Sequence, residues 1–113
     1  MNLTTDRAQG VAIVRIGETR LMYPLLADFS GAVMALLTSG DKKVMIDLSK
    51  VTFVASLGIR LLLTTARALA KSGGRLVMFG ATPAVSEILE TTALSDIIPV
   101  FLSEEEAIGA LGA

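Results

Sequence analysis

Residues 44–63 read VMIDLSKVTFVASLGIRLLL, and this stretch decides the fold. Its first part, Val44–Leu48, is apolar on both faces except for Asp47, which is typical of a strand covered on both sides in a parallel or mixed sheet. After a short connection, Gly58–Ser72 has apolar and polar residues repeating with the period of an amphipathic helix. Ser56 is therefore predicted at or just before the start of that helix.

The same patterns predict further elements on both sides of this stretch. Strands are predicted at Val11–Ile16, at Leu76–Phe79, at Ile97–Leu102 and, more weakly, at Leu3–Arg7. Helices are predicted at Leu21–Ser39 with Pro24 in its first turn, from Thr82-Pro83 onward, and from the capping box at Ser103 to Leu111. Pro99 favours an edge position for the last strand, because proline cannot donate to a ladder.

Strands and helices alternate along most of the chain, which indicates an α/β domain. The 113 residues are near the usual size of one domain, and no linker divides them. We therefore expect a single domain over residues 1–113, with a mixed sheet of about four to five strands packed by about four helices.

The composition excludes several classes of function. The chain has no cysteine, so disulfides, thiolate catalysis and cysteine-ligated zinc are ruled out. Its formal net charge is −1 without a long run of like charge, so no nucleic-acid footprint is expected. The short run Glu104–Glu106 is interpreted as a solvated helix start. No apolar run reaches the roughly 20 residues of a membrane span, and residues 1–10 lack the apolar core of a signal peptide. A cytosolic protein without membrane insertion, cofactor or metal is expected.

Ser56 has two interpretations at this stage. Serine is a common N-cap residue, worth about 1 kcal/mol, and on position alone a cap is the more frequent role. However, a helix start also offers unpaired N–H groups and partial positive charge, which favour an anion. A phosphate on Ser56 would bring about −1.5 to −2 charges to that place.

The stretch resembles the signature of STAS domains, and in particular that of bacterial anti-sigma factor antagonists. The residues that carry the resemblance are Asp47-Leu48-Ser49, Val51-Thr52-Phe53, Ser56, Gly58 and Leu61-Leu62-Leu63. The Gly73-Gly74 turn before the next strand and the Ile88-Leu89 helix leading to Leu94 also match the family's layout. The resemblance covers most of the chain.

The resemblance implies a partner-switching protein. In that family the unmodified domain binds an anti-sigma factor, often a serine kinase with a GHKL-type ATP fold. The kinase phosphorylates a serine at the helix start and so ends the interaction, and a metal-dependent serine phosphatase restores it. The phosphoacceptor position falls on Ser56. The implied neighbours of the partner contact are Val54, Ala55, Leu57, Gly58 and Arg60.

The sequence departs from the family pattern in three places. Ala55 stands where the family usually has an aspartate, and Leu57 stands where a second small hydroxyl residue is usual. The turn after the early strand often carries an aspartate and here reads Gly17-Glu18-Thr19-Arg20. An alternative therefore stays open, in which the chain is an unphosphorylated STAS accessory subunit of a transport or other complex.

An enzyme is the rival class of function. Residues 54–58 faintly resemble a nucleophile elbow, but the chain has no histidine, so no Ser-His-Asp triad can form. A Ser-Lys pair with Lys50 or Lys71 has no supporting spacing, and Asp47 is expected to anchor the loop after its strand by hydrogen bonds. We therefore expect no enzymatic activity. The basic stripe Arg60, Arg67 and Lys71 could meet an acidic partner, although an ordinary solvated helix face is favoured.

Overall fold

The computed structural model describes residues 3–22 and 25–112. Strands and helices alternate over most of this range, as the sequence predicts. The elements in chain order are β1 Leu3–Ala8, β2 Val11–Ile16, β3 Arg20–Leu21, α1 Leu25–Thr38, β4 Lys43–Asp47, β5 Phe53–Val54, α2 Ser56–Lys71, β6 Arg75–Phe79, α3 Pro83–Thr91, β7 Val100–Phe101 and α4 Glu104–Ala110. A short 3-10 turn at Leu94–Asp96, which the sequence did not predict, lies between α3 and β7.

The main sheet is mixed and has the strand order β1-β2-β4-β6-β7. The strands β1 and β2 form an antiparallel hairpin, whereas β2, β4, β6 and β7 run parallel to one another. The hairpin turn uses Gln9 and Gly10 with φ of 52° and 80°, as a two-residue turn between twisted strands requires. The last strand lies at the edge of the sheet, which confirms the prediction made from Pro99.

The sheet is covered on both faces. On one face, apolar side chains such as Val14, Val44 and Ile46 pack against α1, α2 and α3. On the other face, Ile13, Met45 and their neighbours pack against α4. This alternation explains why the β4 segment is apolar at nearly every position, and it confirms the prediction of a strand buried on both sides.

The predicted helix Leu21–Ser39 is wrong at its beginning. Leu21 is fully buried in β3, where it pairs with Val54, and the helix begins at Leu25. A single apolar residue before a helix fits either a helix turn or a short strand, and only the pairing with a distant segment decides between them. Pro24, predicted for the first turn, lies outside the described residues.

The last strand is shorter than predicted, since only Val100 and Phe101 pair with β6. Ile97 lies in a turn and is 54% exposed, so it is not part of the ladder. The terminal helix is confirmed, with the Ser103 hydroxyl accepting a hydrogen bond of 3.2 Å from the Glu106 amide. Within residues 3–22 and 25–112, the helices are too short or too polar to cross a membrane.

Candidate functional site

The loop after β4 is anchored by the carboxylate of Asp47. Its Oδ1 accepts hydrogen bonds from the Ser49 amide at 3.0 Å and from the Ser49 hydroxyl at 2.6 Å. Its Oδ2 accepts one from Arg15 Nη1 at 2.9 Å. Burial raises the pKa of Asp47, but the bonds from Ser49 and Arg15 outweigh it, so that the pKa lies below its ordinary value. The expected anchoring of the loop is thus confirmed.

Arg15 connects this loop to two other parts of the fold. Its guanidinium lies 2.9 Å from Asp47, 2.5 Å from Asp6 and 2.9 Å from Glu104. The bonds to Glu104 and Asp6 raise the pKa of Arg15 above its already high value. Glu104 is therefore held by Arg15, which corrects the expectation that the acidic run is only a solvated helix start. The sequence carries no signal for this contact, since the two residues are 89 positions apart.

A second, two-stranded sheet holds the segment that leads to Ser56. Here β3 and β5 run parallel, with Arg20 beside Phe53 and Leu21 beside Val54. The Ala55 amide donates to the Leu21 carbonyl at 3.0 Å, which continues the pairing to the start of α2. The inner pair of side chains, Leu21 and Val54, is buried, and the outer pair is exposed. From the sequence, β5 was predicted only as part of a short connection, so this sheet was not predicted.

Gly58 lets the start of α2 pack directly on the small sheet. It is buried, and a Cβ placed there would lie 3.0 Å from Val54 Cγ1 and 3.1 Å from the Leu21 carbonyl oxygen. Both distances are tighter than ordinary Cβ contacts. The lack of space for a Cβ therefore requires glycine here. Backbone conformation does not, since the φ of Gly58 lies outside the left-handed region.

Ser56 is the first residue of α2, and the N-cap position belongs to Ala55, with φ −71° and ψ 159°. The Ala55 side chain cannot cap, and no side chain caps this helix. Ser56 is exposed, and its hydroxyl bonds to no residue of the described chain. The cap interpretation of Ser56 is therefore wrong, and its hydroxyl is open to solvent.

The first turn of α2 has free backbone donors around this hydroxyl. The first intrahelical bond runs from the Ile59 amide to the Ala55 carbonyl at 3.0 Å. The amides of residues 56–58 precede it and have no carbonyl partner within the helix. The first turn also contains no acidic residue. The local field therefore favours a negative group.

The predicted partner-contact residues fall into two groups. Leu57 is 60% exposed and Arg60 is exposed, so both lie on the surface near Ser56. Val54 and Gly58 are buried beneath that surface and support it, while Ala55 is half-buried.

Phe53, which was not among the predicted contact residues, is 44% exposed beside the same helix start. Its exposure follows from the alternation of side chains in β5, where Val54 points inward, and the sequence gives no signal for so short a strand.

The chain belongs to the STAS domain family, since the family model for the STAS domain matches residues 2–107. A curated relative is BtrV of Bordetella bronchiseptica, whose name describes an anti-sigma factor antagonist. It is 28% identical over 110 residues, which cover 97% of this chain and 94% of BtrV.

Solved structures share the fold. An anti-sigma factor antagonist from Mycobacterium paratuberculosis superposes with a TM-score of 0.87 at 22% identity, covering 98% of this chain and 93% of that one. The antagonist SpoIIAA in its unphosphorylated form gives a TM-score of 0.83 at 18% identity, with 97% and 96% covered. Bacillus SpoIIAA in its phosphorylated form gives 0.74 at 17% identity, with 96% and 97% covered.

Proposed function

We propose that this protein is an anti-sigma factor antagonist, which binds an anti-sigma factor at the start of α2 and is released by phosphorylation of Ser56. The observation that supports the proposal most directly is the exposed, unbonded Ser56 hydroxyl at the first position of a 16-residue helix. Membership of the STAS family and the names of its relatives point to the same function.

The proposed switch acts by local charge. Ser56 lies next to the exposed apolar side chain of Leu57 and near that of Phe53, which form the proposed apolar part of the contact. A phosphate would add about −1.5 to −2 charges at this place. The free amides of residues 56–58 would hold it without refolding, because they have no partner in the helix. A docked partner would then lose its apolar contact and meet a solvated dianion.

The proposal extends to the partners. The anti-sigma factor is a serine kinase with a GHKL-type fold, and a metal-dependent serine phosphatase regenerates the binding form. The protein itself acts by binding, without catalysis, in the cytoplasm. In support, the Asp47 carboxylate is already bound by Ser49 and Arg15.

The test is phosphorylation by the kinase-type anti-sigma factor encoded nearest to this chain. The protein is incubated with ATP and that kinase, and intact-mass and peptide mass spectrometry follow. One added phosphate on Ser56 is expected, and it should be absent in Ser56→Ala but present in the control Ser86→Ala. A complex that forms without phosphate transfer would refute the switch and favour a binding-only module.

A further inference from the structure

The edge of β6 that faces β7 is only partly paired. Backbone groups of successive residues in a strand point to opposite sides of the strand within the sheet. The Arg75 amide donates to the Lys42 carbonyl on the β4 side at 2.7 Å, so the amide and carbonyl of Leu76 face β7. Two residues further on, the Met78 amide is paired on the β7 side with the Pro99 carbonyl at 2.9 Å. Leu76 is therefore the position at which this pairing stops.

Pro99 is the reason that it stops. In a parallel ladder the Leu76 carbonyl would accept from the amide of residue 99, and proline has no N–H. The preceding chain also turns away, since the Ile98 amide donates to the Leu94 carbonyl at 2.9 Å. Within residues 3–22 and 25–112, the amide and carbonyl of Leu76 have no hydrogen-bond partner on this side. Leu76 is 4% exposed, and unpaired backbone groups in so buried a place are rare in folded proteins.

A pocket of about 350 Å³ opens at this unpaired edge, and Leu76 lines it. Its apolar walls are formed by Ala66 and Ala70 of α2 on one side and by Ile97 and Pro99 on the other. Ile97 is 54% exposed at the rim. The pocket therefore provides space for a segment of another chain directly beside the backbone of β6.

Two arginines line the same pocket, one toward each face of the sheet. Arg67 belongs to α2, which packs on the face that holds the Leu76 side chain. The side chain of Arg75 points to the opposite face, where its Nη1 donates to the Ala110 carbonyl of α4 at 3.0 Å. Neither guanidinium forms an ion pair within the described part of the chain. Both positive charges are therefore available to an anionic occupant.

We propose that this edge of β6 binds an extended peptide segment of a partner protein that carries two consecutive acidic residues. The peptide adds a short strand, in which one residue donates to the Leu76 carbonyl and accepts from the Leu76 amide. Side chains alternate between the faces of a strand, so two neighbouring carboxylates lie on opposite faces, one toward Arg67 and the other toward Arg75. The unpaired backbone groups select an extended peptide, and the arginines select its charge.

A second copy of this chain is the less favoured occupant. Its only consecutive acidic residues are Glu104–Glu106, and these form the first turn of α4 instead of an extended segment. The proposed surface is also distinct from the contact at Ser56, since Arg67 lies eleven positions, or about 16 Å, further along the axis of α2. Binding at this edge therefore does not depend on the proposed switch.

The test is an amide NMR titration of the full chain with a blocked hexapeptide of strand-favouring residues that has two glutamates at its centre. Saturable shifts are expected at Leu76, at Ile97 and in the second half of α2, together with slower hydrogen exchange of the Leu76 amide. Two further peptides are methylated at one or the other glutamate nitrogen. One of them should bind at least about tenfold more weakly, or by about 1.4 kcal/mol, because only one of these amides can face the Leu76 carbonyl.

Variants of the chain test the charge and the open edge separately. Arg67→Glu should weaken binding at least about tenfold, whereas Lys50→Glu, an exposed cation outside the pocket, should bind as the wild type does. Pro99→Ala supplies an amide for the Leu76 carbonyl and should also weaken binding. The proposal is overturned if the peptide causes no shifts at Leu76, or if a peptide with lysines in place of the glutamates binds equally well. It is also overturned if the Leu76 amide shifts with protein concentration alone, since a second copy would then cover this edge.

Discussion

Gly58 lies directly against the carbonyl oxygen of Leu21, since a Cβ at position 58 would stand 3.1 Å from it. The same oxygen accepts the hydrogen bond of the Ala55 amide at 3.0 Å. The Leu21 carbonyl thus binds the chain just before α2 and also limits how closely α2 can approach β3. This relationship sets the position of Ser56, two residues before Gly58.

The first prediction concerns this contact. Gly58→Ala should lower the free energy of unfolding by about 1 kcal/mol. Overpacking by the new Cβ costs about 1–3 kcal/mol, and the higher helix propensity of alanine offsets about 1 kcal/mol of that cost. Urea denaturation measures the change. Gly31→Ala is the control, where a Cβ meets nothing within 4 Å and a gain of about 0.5–1 kcal/mol is expected. Equal gains in both variants would show that Gly58 is not needed for space.

The second prediction concerns the charge at Ser56. Ser56→Asp should weaken binding to the kinase-type partner by at least about tenfold, because it places a charge within the proposed contact. Ser56→Ala should bind as the wild type does. Ala84→Asp, which puts the same charge in the first turn of α3, is the control and should have no effect on calorimetric binding. Unchanged affinity of Ser56→Asp would contradict the switch.

The third prediction separates a specific apolar contact from general surface hydrophobicity. Leu57→Ala should weaken partner binding by about tenfold to a hundredfold, as the loss of a central apolar anchor does. Leu102→Ala is the control, since Leu102 is 88% exposed and lies after β7. Neither variant should change stability by more than about 0.5 kcal/mol, because both side chains are on the surface. Equal loss of binding in the two variants would argue against a defined contact at Leu57.

The fourth prediction follows from the lowered pKa of Asp47. Burial acts to raise this pKa, and the bonds from Ser49 and Arg15 lower it by more. Since the folded-state pKa is below the unfolded one, the carboxylate stabilises the fold above about pH 4, and this contribution is lost as pH falls through the folded-state pKa.

Denaturation at a series of pH values tests this contribution. Asp47→Asn should be less stable at neutral pH and should lose less stability below about pH 4 than the wild type. Ser49→Ala removes the hydroxyl that donates to Asp47 Oδ1 at 2.6 Å. It should also lower stability at neutral pH, by a smaller amount than Asp47→Asn. If Asp47→Asn and the wild type lose the same stability below about pH 4, then the Asp47 carboxylate does not contribute to the stability of the fold.

Local patterns were sufficient for most of the fold. The apolar β4 segment, the amphipathic α2 and the caps at Thr82 and Ser103 each depend on residues within a few positions of one another, and each is confirmed. The position of Ser56 at the start of α2 was predictable for the same reason. The two-residue strands β3 and β5 were not, because such short segments have no period and form only by pairing with each other.

The sequence by itself determined the class of the fold, the order of its main elements and the serine at the start of its most amphipathic helix. Only the tertiary structure decided that Ala55 takes the cap position and leaves the Ser56 hydroxyl free, and that Glu104 is held by Arg15. It also decided that α1 and α2 enclose a mainly apolar groove. Periodicity and capping act within a few residues, whereas pairing, packing and ion pairs join residues far apart in the chain, and a local pattern carries no information about which distant residues meet.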